Sequence, residues 1–389
     1  MTFTRYELTI PVELTSELHI GGVDPVPDRD GEGTVIRFNR NGLKEPTIPG
    51  RSIRGAVRAA CDLLWEERKL KDDPSGIFSE TNWKSLWGDD LAHHEGGSPN
   101  DLRPVRRSAL TFHAVSFPAD QPMTTRHGVG IDRTTGAASD GALYEHEFLP
   151  RGTAFDIRIT AEGRDGEQKN DTERKDNKQS DGIPGPAPSD TVKKLLEFIV
   201  DVLTSGAVCL GGRTGSGQGT IQVIEPKLRR TGKTTDAGAL TAPADVLDAL
   251  IGEDEEGTPI PLERGGWSLE EPARIKITWW SPTGIFVAED EKLTKQRKAQ
   301  KEAENREKGI NEEVHEVVYP LRDPSEEWEN AQLLIPGTSI RGALRSRASR
   351  IARTVLAAKD KLPTFTSHDL HEQIAAEPNL VRYMFGSTE

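Results

Sequence analysis

Cysteine is scarce in this 389-residue chain, which contains only Cys61 and Cys209. Two scattered cysteines provide neither a disulfide framework nor a cysteine-based zinc site, and they are consistent with a reducing compartment. No run of about 18 apolar residues occurs, so no membrane span is expected. The first residues also lack the apolar core of a signal peptide. The sequence therefore predicts a cytoplasmic protein.

An excess of positive charge is also missing, because the formal net charge is -13 at pH 7. A negative average argues against a nucleic-acid partner, but the two signs are segregated along the chain. Residues 48–58 and 335–353 contain arginines and no acids, whereas acids collect at 253–256 and 312–313. Since the Debye length is only about 8 Å at physiological salt, basic strips on an acidic body can still bind phosphate.

One short motif occurs twice. Ile48–Arg58 reads IPGRSIRGAVR and Ile335–Arg345 reads IPGTSIRGALR, so nine of eleven positions are identical. Each copy follows a strand-like alternating run, Tyr6–Ile20 or Arg274–Val287, and precedes a helix-like run that ends in an aromatic residue and a glycine. The order of strand, loop, motif, helix and aromatic-Gly step predicts one structural unit present twice.

The motif has the features of a helix start that can bind phosphate. Its proline and glycine favour an extended entry and a sharp turn, and a serine follows where an N-cap is expected. A helix N-terminus offers unpaired N–H groups and a partial positive charge. An ordinary amphipathic helix with solvated arginines is the alternative, which the identical repetition disfavours. The predicted RNA-binding residues of the two copies are Arg51, Ser52, Arg54, Arg58, Ser339, Arg341 and Arg345.

The first unit continues beyond its aromatic-Gly step. Strand-like runs at 105–118 and 152–162 flank a polar, Gly-rich segment at 124–149 that is typical of a hairpin or long arm. A hydrophilic insertion at 163–189 is predicted to be disordered. Apolar residues at helical spacing follow at 191–204, before a last strand at 220–224. The order β-α-β-β-α-β predicts an α+β, ferredoxin-like domain.

These elements divide the chain into two domains. Residues 1–225 form the first domain, 226–271 an acidic linker, and 272–389 a second domain with a charged insertion at about 290–312. The second domain has no counterpart to residues 105–224, so it is predicted to be incomplete. Either a partner completes its sheet or the chain is a piece of a longer protein, and we expect the latter.

A glycine-rich loop precedes the last strand of the first unit. Residues 211–219 read GGRTGSGQG, and no Gly-Lys-Ser/Thr sequence follows, which argues against a nucleotide-hydrolysing P-loop. A backbone nest for an RNA phosphate fits better, because glycines let the main chain approach a ligand closely. The predicted contacts in this loop are Gly211, Gly212, Arg213 and Thr214.

Two other groups of residues have ordinary interpretations. The histidines, which include His19 and His146, show no zinc-ligand spacing and are predicted to be solvated. Trp279 and Trp280 lie in the predicted first strand of the second unit. One ring is expected to face the core and the other a helix or an RNA face, and core packing is favoured.

Together the motifs resemble the RAMP superfamily of CRISPR proteins, and within it the guide-RNA-binding backbone subunits of type III (Csm and Cmr) effector complexes. The match rests on His-Ile-Gly-Gly at 19–22, the repeated motif, the glycine loop, and residues 130–138 leading to 147–150. The last of these resembles the thumb-like hairpin (about 124–150) of such subunits, and it adds Arg133 to the expected RNA contacts. The resemblance implies tandem ferredoxin-like (RRM-like) domains that bind crRNA beside other effector subunits.

The resemblance also implies a nuclease site. In the family, an Asp in the loop after the first strand cleaves target RNA with a divalent metal. The corresponding loop contains Asp28, Asp30 and Glu32, of which Asp30 aligns best as the catalytic and Mg²⁺-binding acid. A solvated acidic loop is the alternative, and no convincing equivalent is present in the second unit.

The leading hypothesis is a crRNA-binding backbone subunit of a type III effector that cleaves target RNA with its first domain. One alternative is a crRNA-processing endoribonuclease that uses general acid–base residues and no metal. Others are an RNA-binding scaffold without catalysis and a purely structural assembly protein. Salt-dependent RNA binding distinguishes the last of these from the rest.

Overall fold

A computed structural model describes residues 2–22, 26–27, 34–70, 76–88, 108–132, 138–165, 187–235, 257–263, 276–289, 291–315, 317–322, 331–359 and 370–386. The strands in this part of the chain are β1 (Thr2–Leu14), β2 (Val26–Pro27), β3 (Thr34–Ile36), β4 (Thr47–Ile48), β5 (Leu110–Phe112), β6 (Val115–Ser116), β7 (Thr124–Ile131), β8 (Ala138–Phe148), β9 (Ala154–Arg164), β10 (Ile221–Val223), β11 (Lys227–Thr235) and β12 (Thr258–Ile260). The helices are α1 (Gly50–Glu67), α2 (Glu80–Trp87), α3 (Ser189–Thr204), α4 (Glu291–Glu307), α5 (Gly337–Ala357), α6 (Leu370–Ala375) and α7 (Asn379–Phe385).

The main sheet is built around β1. Every second residue of this strand, from Thr4 to Leu14, is buried, which is the pattern of a strand with one face in a core. β9 pairs antiparallel with one edge of β1, and β10 and β11 pair antiparallel with the other. The strand order is β12-β11-β1-β9-β5, so β1 lies between β9 and β11. Here β9 corresponds to the third strand of the predicted β-α-β-β-α-β unit, and β10 and β11 lie at its end. This arrangement confirms the α+β, ferredoxin-like prediction for the first unit.

Helices α1 and α3 pack against this sheet and against each other. On α1 the buried residues Ile53, Val57, Cys61 and Trp65 recur every four positions, which puts them on one helix face. On α3, 11 of 16 residues are buried, because this helix contacts β1, β9, α1 and α2. The two helices and the sheet thus enclose one continuous apolar core.

A second sheet carries the predicted hairpin. Its strand order is β2-β3-β8-β7, with β7 and β8 antiparallel and β3 parallel to β8. The β7–β8 hairpin confirms the prediction for 124–149. Within it Gly128 lies opposite Tyr144, and a methyl group at Gly128 would lie 2.3 Å from the tyrosine ring. The ring therefore packs directly over the glycine backbone.

The motif helices begin earlier than predicted. The N-cap residues are Pro49 and Pro336, and neither cap is closed by a side-chain hydrogen bond. Ser52 and Ser339 lie in the first turn of their helices, so their predicted N-cap role is wrong. Each proline already holds the extended backbone that an N-cap needs, with φ near -60° and ψ near 138°.

The predicted linker begins with a strand. Lys227–Thr235 forms β11, which pairs with β1 along most of its length. Its sequence, KLRRTGKTT, contains a single large apolar residue, Leu228, which is 2% exposed. The polar composition is that of a connecting segment, and only the pairing with β1 shows that it belongs to the sheet.

The second unit departs furthest from prediction. The described residues 276–287 form no strand, and Trp279 and Trp280 are 54% and 80% exposed, so the expected core packing is wrong. A strand requires a hydrogen-bonded neighbour, and the described residues of this unit contain no counterpart of β9 or β11. For the same reason Ile340 and Leu344 of α5 are exposed, whereas the equivalent Ile53 and Val57 are fully buried. Helix α4 lies within the predicted charged insertion.

Two further observations bear on the predictions. Most of the predicted disordered insertion, residues 166–186, lies outside the described residues. Among the helices that are described, none is both long enough and apolar enough to cross a bilayer.

Candidate nucleic-acid interface

The glycine loop (residues 211–219) is fixed against the segment that follows β1. The Gly212 N–H donates a hydrogen bond to the His19 carbonyl, and the Gly219 N–H donates one to the Glu17 carbonyl, both at 2.9 Å. Gly211 has a φ of 76°, and a methyl group there would lie 2.3 Å from the His19 oxygen. Close approach to the protein's own backbone therefore accounts for this glycine.

Arg213 projects from the loop towards the hairpin. Its φ is 60°, in the left-handed region that non-glycine residues rarely adopt. The Nη2 atom lies 2.5 Å from Nε2 of His146 on β8, and the guanidinium lies 5.0 Å from the centre of the Tyr144 ring. The unusual backbone geometry thus accompanies a side chain held by two neighbours.

His19 and His146 form a buried pair beneath Arg213. Each is 5% exposed, and their rings meet edge to face with centres 4.7 Å apart. The prediction that the histidines are solvated is wrong for these two. Burial, and then the charge of Arg213, lowers the pKa of His19, although its hydrogen bond to Glu147 opposes the shift. Burial, Arg213 and His19 together lower the pKa of His146 to about 3.

The position of His19 within His-Ile-Gly-Gly offered a signal for this pair, because that motif supports the family resemblance. His146 offered none, since it lies in an ordinary alternating strand. The antiparallel bridge between Leu18 and Leu149, next to the end of β8, brings the two imidazoles together.

The first arginine of the repeated motif makes the same contact in both units. Nη2 of Arg54 donates a hydrogen bond to the Trp87 carbonyl, and Nη2 of Arg341 donates one to the Phe385 carbonyl. Each acceptor is the last residue of a short helix and precedes a glycine with a φ near 80°. A bond between the motif helix and the aromatic-Gly step thus gives a structural reason for the repetition. The RNA contacts assigned to Arg54 and Arg341 stay predictions.

The second arginine of each copy is paired with a carboxylate. Arg58 lies 3.4 Å from Asp62 on the same helix. Arg345 forms an ion pair with Glu377, whose side chain is fully buried and also accepts a hydrogen bond of 2.8 Å from Ser349. Each of these acids compensates the positive charge of one arginine on its motif helix.

A groove lies between the β7–β8 hairpin and the start of α5. It encloses about 650 Å³, and Arg213, Thr338, Ser339 and Arg341 are among its lining residues. A smaller cavity of about 160 Å³ extends from it towards His146. Two elements from different units form its walls, because the glycine loop contacts the first turn of α5.

That contact is close. A methyl group at Gly337 would lie 2.0 Å from the Ser216 oxygen, and one at Gly215 would lie 3.6 Å from Nε of Arg341. The loop therefore brings Arg213, from the first unit, and Arg341, from the second, to the same groove. The structure brings together the predicted residues Arg213, Ser339, Arg341 and Arg345, while Arg51, Ser52 and Thr214 are not among those that line the groove.

The charges in the groove are unequally compensated. Arg213 contacts an imidazole and a phenol ring, and Arg341 contacts a carbonyl, so neither has an acidic partner among the described residues. By contrast, Arg126 at the hairpin base is paired with Glu17 at 2.7 Å. Arg213 and Arg341 consequently present net positive charge to the groove on a chain that is acidic overall.

The predicted nuclease acids, Asp28, Asp30 and Glu32, lie outside the described residues, as does Arg133. Of the two strands that flank these acids in the sequence, β3 pairs with β8 of the hairpin and β2 pairs with β3. In the part of the chain that is described, no group of three or more histidine, cysteine or acidic side chains is arranged to hold a metal. The Mg²⁺ site at Asp30 stays a prediction.

Comparison with known proteins gives one family. The model of the RAMP superfamily matches residues 12–222, which is more than half of the chain. The matched segment runs from β1 to β10 and contains His19, the first motif copy, the hairpin and the glycine loop. No curated protein matches the chain.

Proposed function

Because this chain belongs to the RAMP superfamily of CRISPR-associated, RNA-binding proteins, we propose that it is a crRNA-binding backbone subunit of a type III ribonucleoprotein effector. The observation that carries the proposal is the groove between the hairpin and α5. Two guanidinium groups that have no acidic partner in the described part of the chain line it, one from each unit. crRNA is the expected ligand, and target RNA and other effector subunits are the expected partners.

The chemistry of the groove suits a single-stranded RNA backbone. A guanidinium binds phosphate through parallel N–H donors, and it stays charged at any physiological pH. On the hairpin side, Val129 and Ile131 are each 40% exposed and offer apolar surface to unstacked bases. Arginine on one wall and apolar residues on the other therefore match the two chemical faces of an RNA strand.

The proposal is tested by the salt dependence of RNA binding. Fluorescence anisotropy with a labelled single-stranded RNA gives Kd for the wild type and Arg213→Ala at several salt concentrations. Loss of one phosphate contact should weaken binding for all sequences and reduce the slope of log K against log salt by about 1. Arg158→Ala is the matched control, because Arg158 is exposed, does not line the groove and is not among the predicted RNA contacts.

An unchanged Kd for Arg213→Ala would exclude Arg213 as a phosphate ligand. Binding that does not respond to salt, or no binding at all, would favour the purely structural assembly protein. Equal losses in Arg213→Ala and Arg158→Ala would point to diffuse electrostatic attraction rather than to this groove.

We also propose that the first domain cleaves target RNA with Mg²⁺ held by Asp30. The support is the family resemblance, together with the pairing of β3, the strand that follows these acids in the sequence, with β8 of the hairpin. Asp30→Ala should abolish Mg²⁺-dependent cleavage of a target RNA paired with the guide while leaving guide binding unchanged. If cleavage persists, Glu32→Ala and Asp28→Ala are the next variants, and loss of activity in none of them would leave an RNA-binding scaffold.

The alternative of a metal-independent processing enzyme gains no support from the buried histidines. A general acid or base needs a ring nitrogen free to exchange a proton with RNA. In His19 and His146 all four ring nitrogens are within hydrogen-bonding distance of protein atoms.

A further inference from the structure

The buried histidine pair forms part of a series of three polar contacts that ends at the groove. Nη2 of Arg213 lies 2.5 Å from Nε2 of His146. Nδ1 of His146 lies 3.4 Å from Nε2 of His19, and Nδ1 of His19 lies 2.6 Å from the Glu147 carbonyl oxygen. The series therefore runs from a charged donor at the surface to a backbone acceptor in the interior.

One arrangement of protons satisfies the whole series. A guanidinium can only donate, so Nε2 of His146 must accept and its proton must reside on Nδ1. That N–H then donates to Nε2 of His19, which leaves the proton of His19 on Nδ1 to donate to the Glu147 carbonyl. Protonation of His146 would place an N–H against the Arg213 donor and break the first contact.

We propose that His19 and His146 are positioning residues, which hold the Arg213 guanidinium at the groove through this fixed pair of tautomers. The role assigned to Arg213 rests on the proposed RNA-binding function, whereas the tautomers do not. The ligand is an RNA phosphate, which Arg213 meets with its positive charge intact because its own partner is a neutral imidazole.

The neutral imidazole of His146 holds Arg213 without cancelling its positive charge. A carboxylate would hold Arg213 equally well but would cancel its charge, as Glu377 does for Arg345 and Glu17 does for Arg126. An arginine with no partner would lose side-chain entropy when it binds a phosphate. A neutral acceptor on one side and the Tyr144 ring on the other restrict Arg213 without neutralising it.

The backbone of Arg213 points to the same conclusion. A non-glycine residue with a φ of 60° is held there against its own preference. The neighbouring Gly212 N–H is bonded to the carbonyl of His19, so one residue fixes both the loop backbone and the far end of the imidazole series. His19 therefore couples the position of the loop to the orientation of its arginine.

The tautomers are tested by ¹⁵N NMR of the full chain labelled at histidine, in the absence of RNA. At pH 7 the spectra should show both histidines neutral with the proton on Nδ1, assigned by loss of the signals in His19→Gln and His146→Gln. A His146 that is protonated, or that carries its proton on Nε2, would overturn the proposal whatever the variants do.

The effect on RNA is tested with two substitutions at one position. His146→Gln keeps an acceptor for Arg213 and a donor for His19, so its Kd for single-stranded RNA should stay within about twofold of the wild type. His146→Leu removes both groups and should raise Kd about tenfold, approaching the value for Arg213→Ala. Circular dichroism and thermal unfolding of each variant show whether it is folded.

The outcomes separate this inference from the function on which it rests. If Arg213→Ala weakens binding but a folded His146→Leu does not, the positioning role is refuted and the phosphate contact stands. If neither change alters Kd, the assignment of Arg213 to RNA fails, although the tautomers can still be read from the spectra. If Gln and Leu at position 146 weaken binding equally, hydrogen bonding by this residue is not what holds Arg213.

Discussion

Replacing Arg54 by alanine should destabilise the first unit, because its guanidinium joins α1 to the end of α2. The acceptor is the carbonyl of Trp87, a residue that is 1% exposed. A hydrogen bond from a charged donor contributes about 1.5–3 kcal/mol to stability. Arg54→Ala removes the donor from the buried Trp87 carbonyl, so most of that contribution should be lost. The guanidinium also lies 6.0 Å from the centre of the Trp87 ring, at the outer limit of a cation–π contact. We therefore expect a loss of about 2–3 kcal/mol.

Urea unfolding followed by tryptophan fluorescence is a direct assay, since Trp65, Trp83 and Trp87 form one aromatic cluster in the core. Arg51→Ala is the matched control three residues earlier on the same helix. Its side chain is exposed, so its effect should stay within about 0.5 kcal/mol. Arg54→Lys keeps the charge but lacks the planar fork, and it should fall between the two.

The reasoning is refuted if Arg54→Ala unfolds at the same urea concentration as Arg51→Ala. Weaker RNA binding by such a stable variant would instead show that Arg54 is a phosphate ligand, as the sequence predicts. The same test applies to the second unit, where Arg341→Ala removes the equivalent bond to the Phe385 carbonyl. That change should leave the unfolding of the first-unit aromatic cluster unaltered.

Three other predictions have clear expected results. The pKa of His146 is about 3 in the folded chain and near 6.5 in the unfolded chain, so the unfolded state binds a proton first as the pH falls. The free energy of unfolding should therefore fall by about 1.4 kcal/mol per pH unit below 6.5. His146→Gln should remove that part of the pH dependence in urea unfolding. Gly219→Ala should destabilise the chain more than Gly217→Ala. Both glycines have a positive φ, but only at Gly219 would the added methyl meet another atom, the Leu210 oxygen at 1.9 Å. Equal losses would mean that backbone strain alone accounts for the cost. Glu377→Ala should destabilise the second unit by roughly 3–5 kcal/mol in thermal unfolding, since it leaves the Arg345 charge unpaired; the isosteric Glu377→Gln should cost less.

The first unit could be read from its sequence because its signals are local. Apolar residues alternate along β1 and β9 and recur every four residues along α1, because one face of each element is buried. β11 could not be found this way. Its side chains are mostly polar, and it belongs to the sheet only because β1 offers a free edge more than 200 residues earlier.

The candidate site was predictable in part. Repetition and glycine content drew attention to Arg213 and Arg341, which the fold brings to one groove. What the two residues bind within the protein could not be foreseen, because a helix start bonded to a distant carbonyl looks the same in sequence as one exposed to solvent. The alternating pattern of β8 says only which residues face inward, so the pairing of His146 with His19 had no signal either.

The central position of β1 has a consequence for how the chain folds during synthesis. Residues 2–14 are synthesised before all of their sheet partners, which are β9 at 154–164 and β10 and β11 at 221–235. Thr2 pairs with Thr235, so most of the first unit must be made before its first strand is enclosed on both edges. Pairings of such high sequence separation fold slowly, because the loop must close before the contacts form. Until then an apolar strand with two open edges is exposed, and this is the interval in which we expect chaperones to bind the nascent protein.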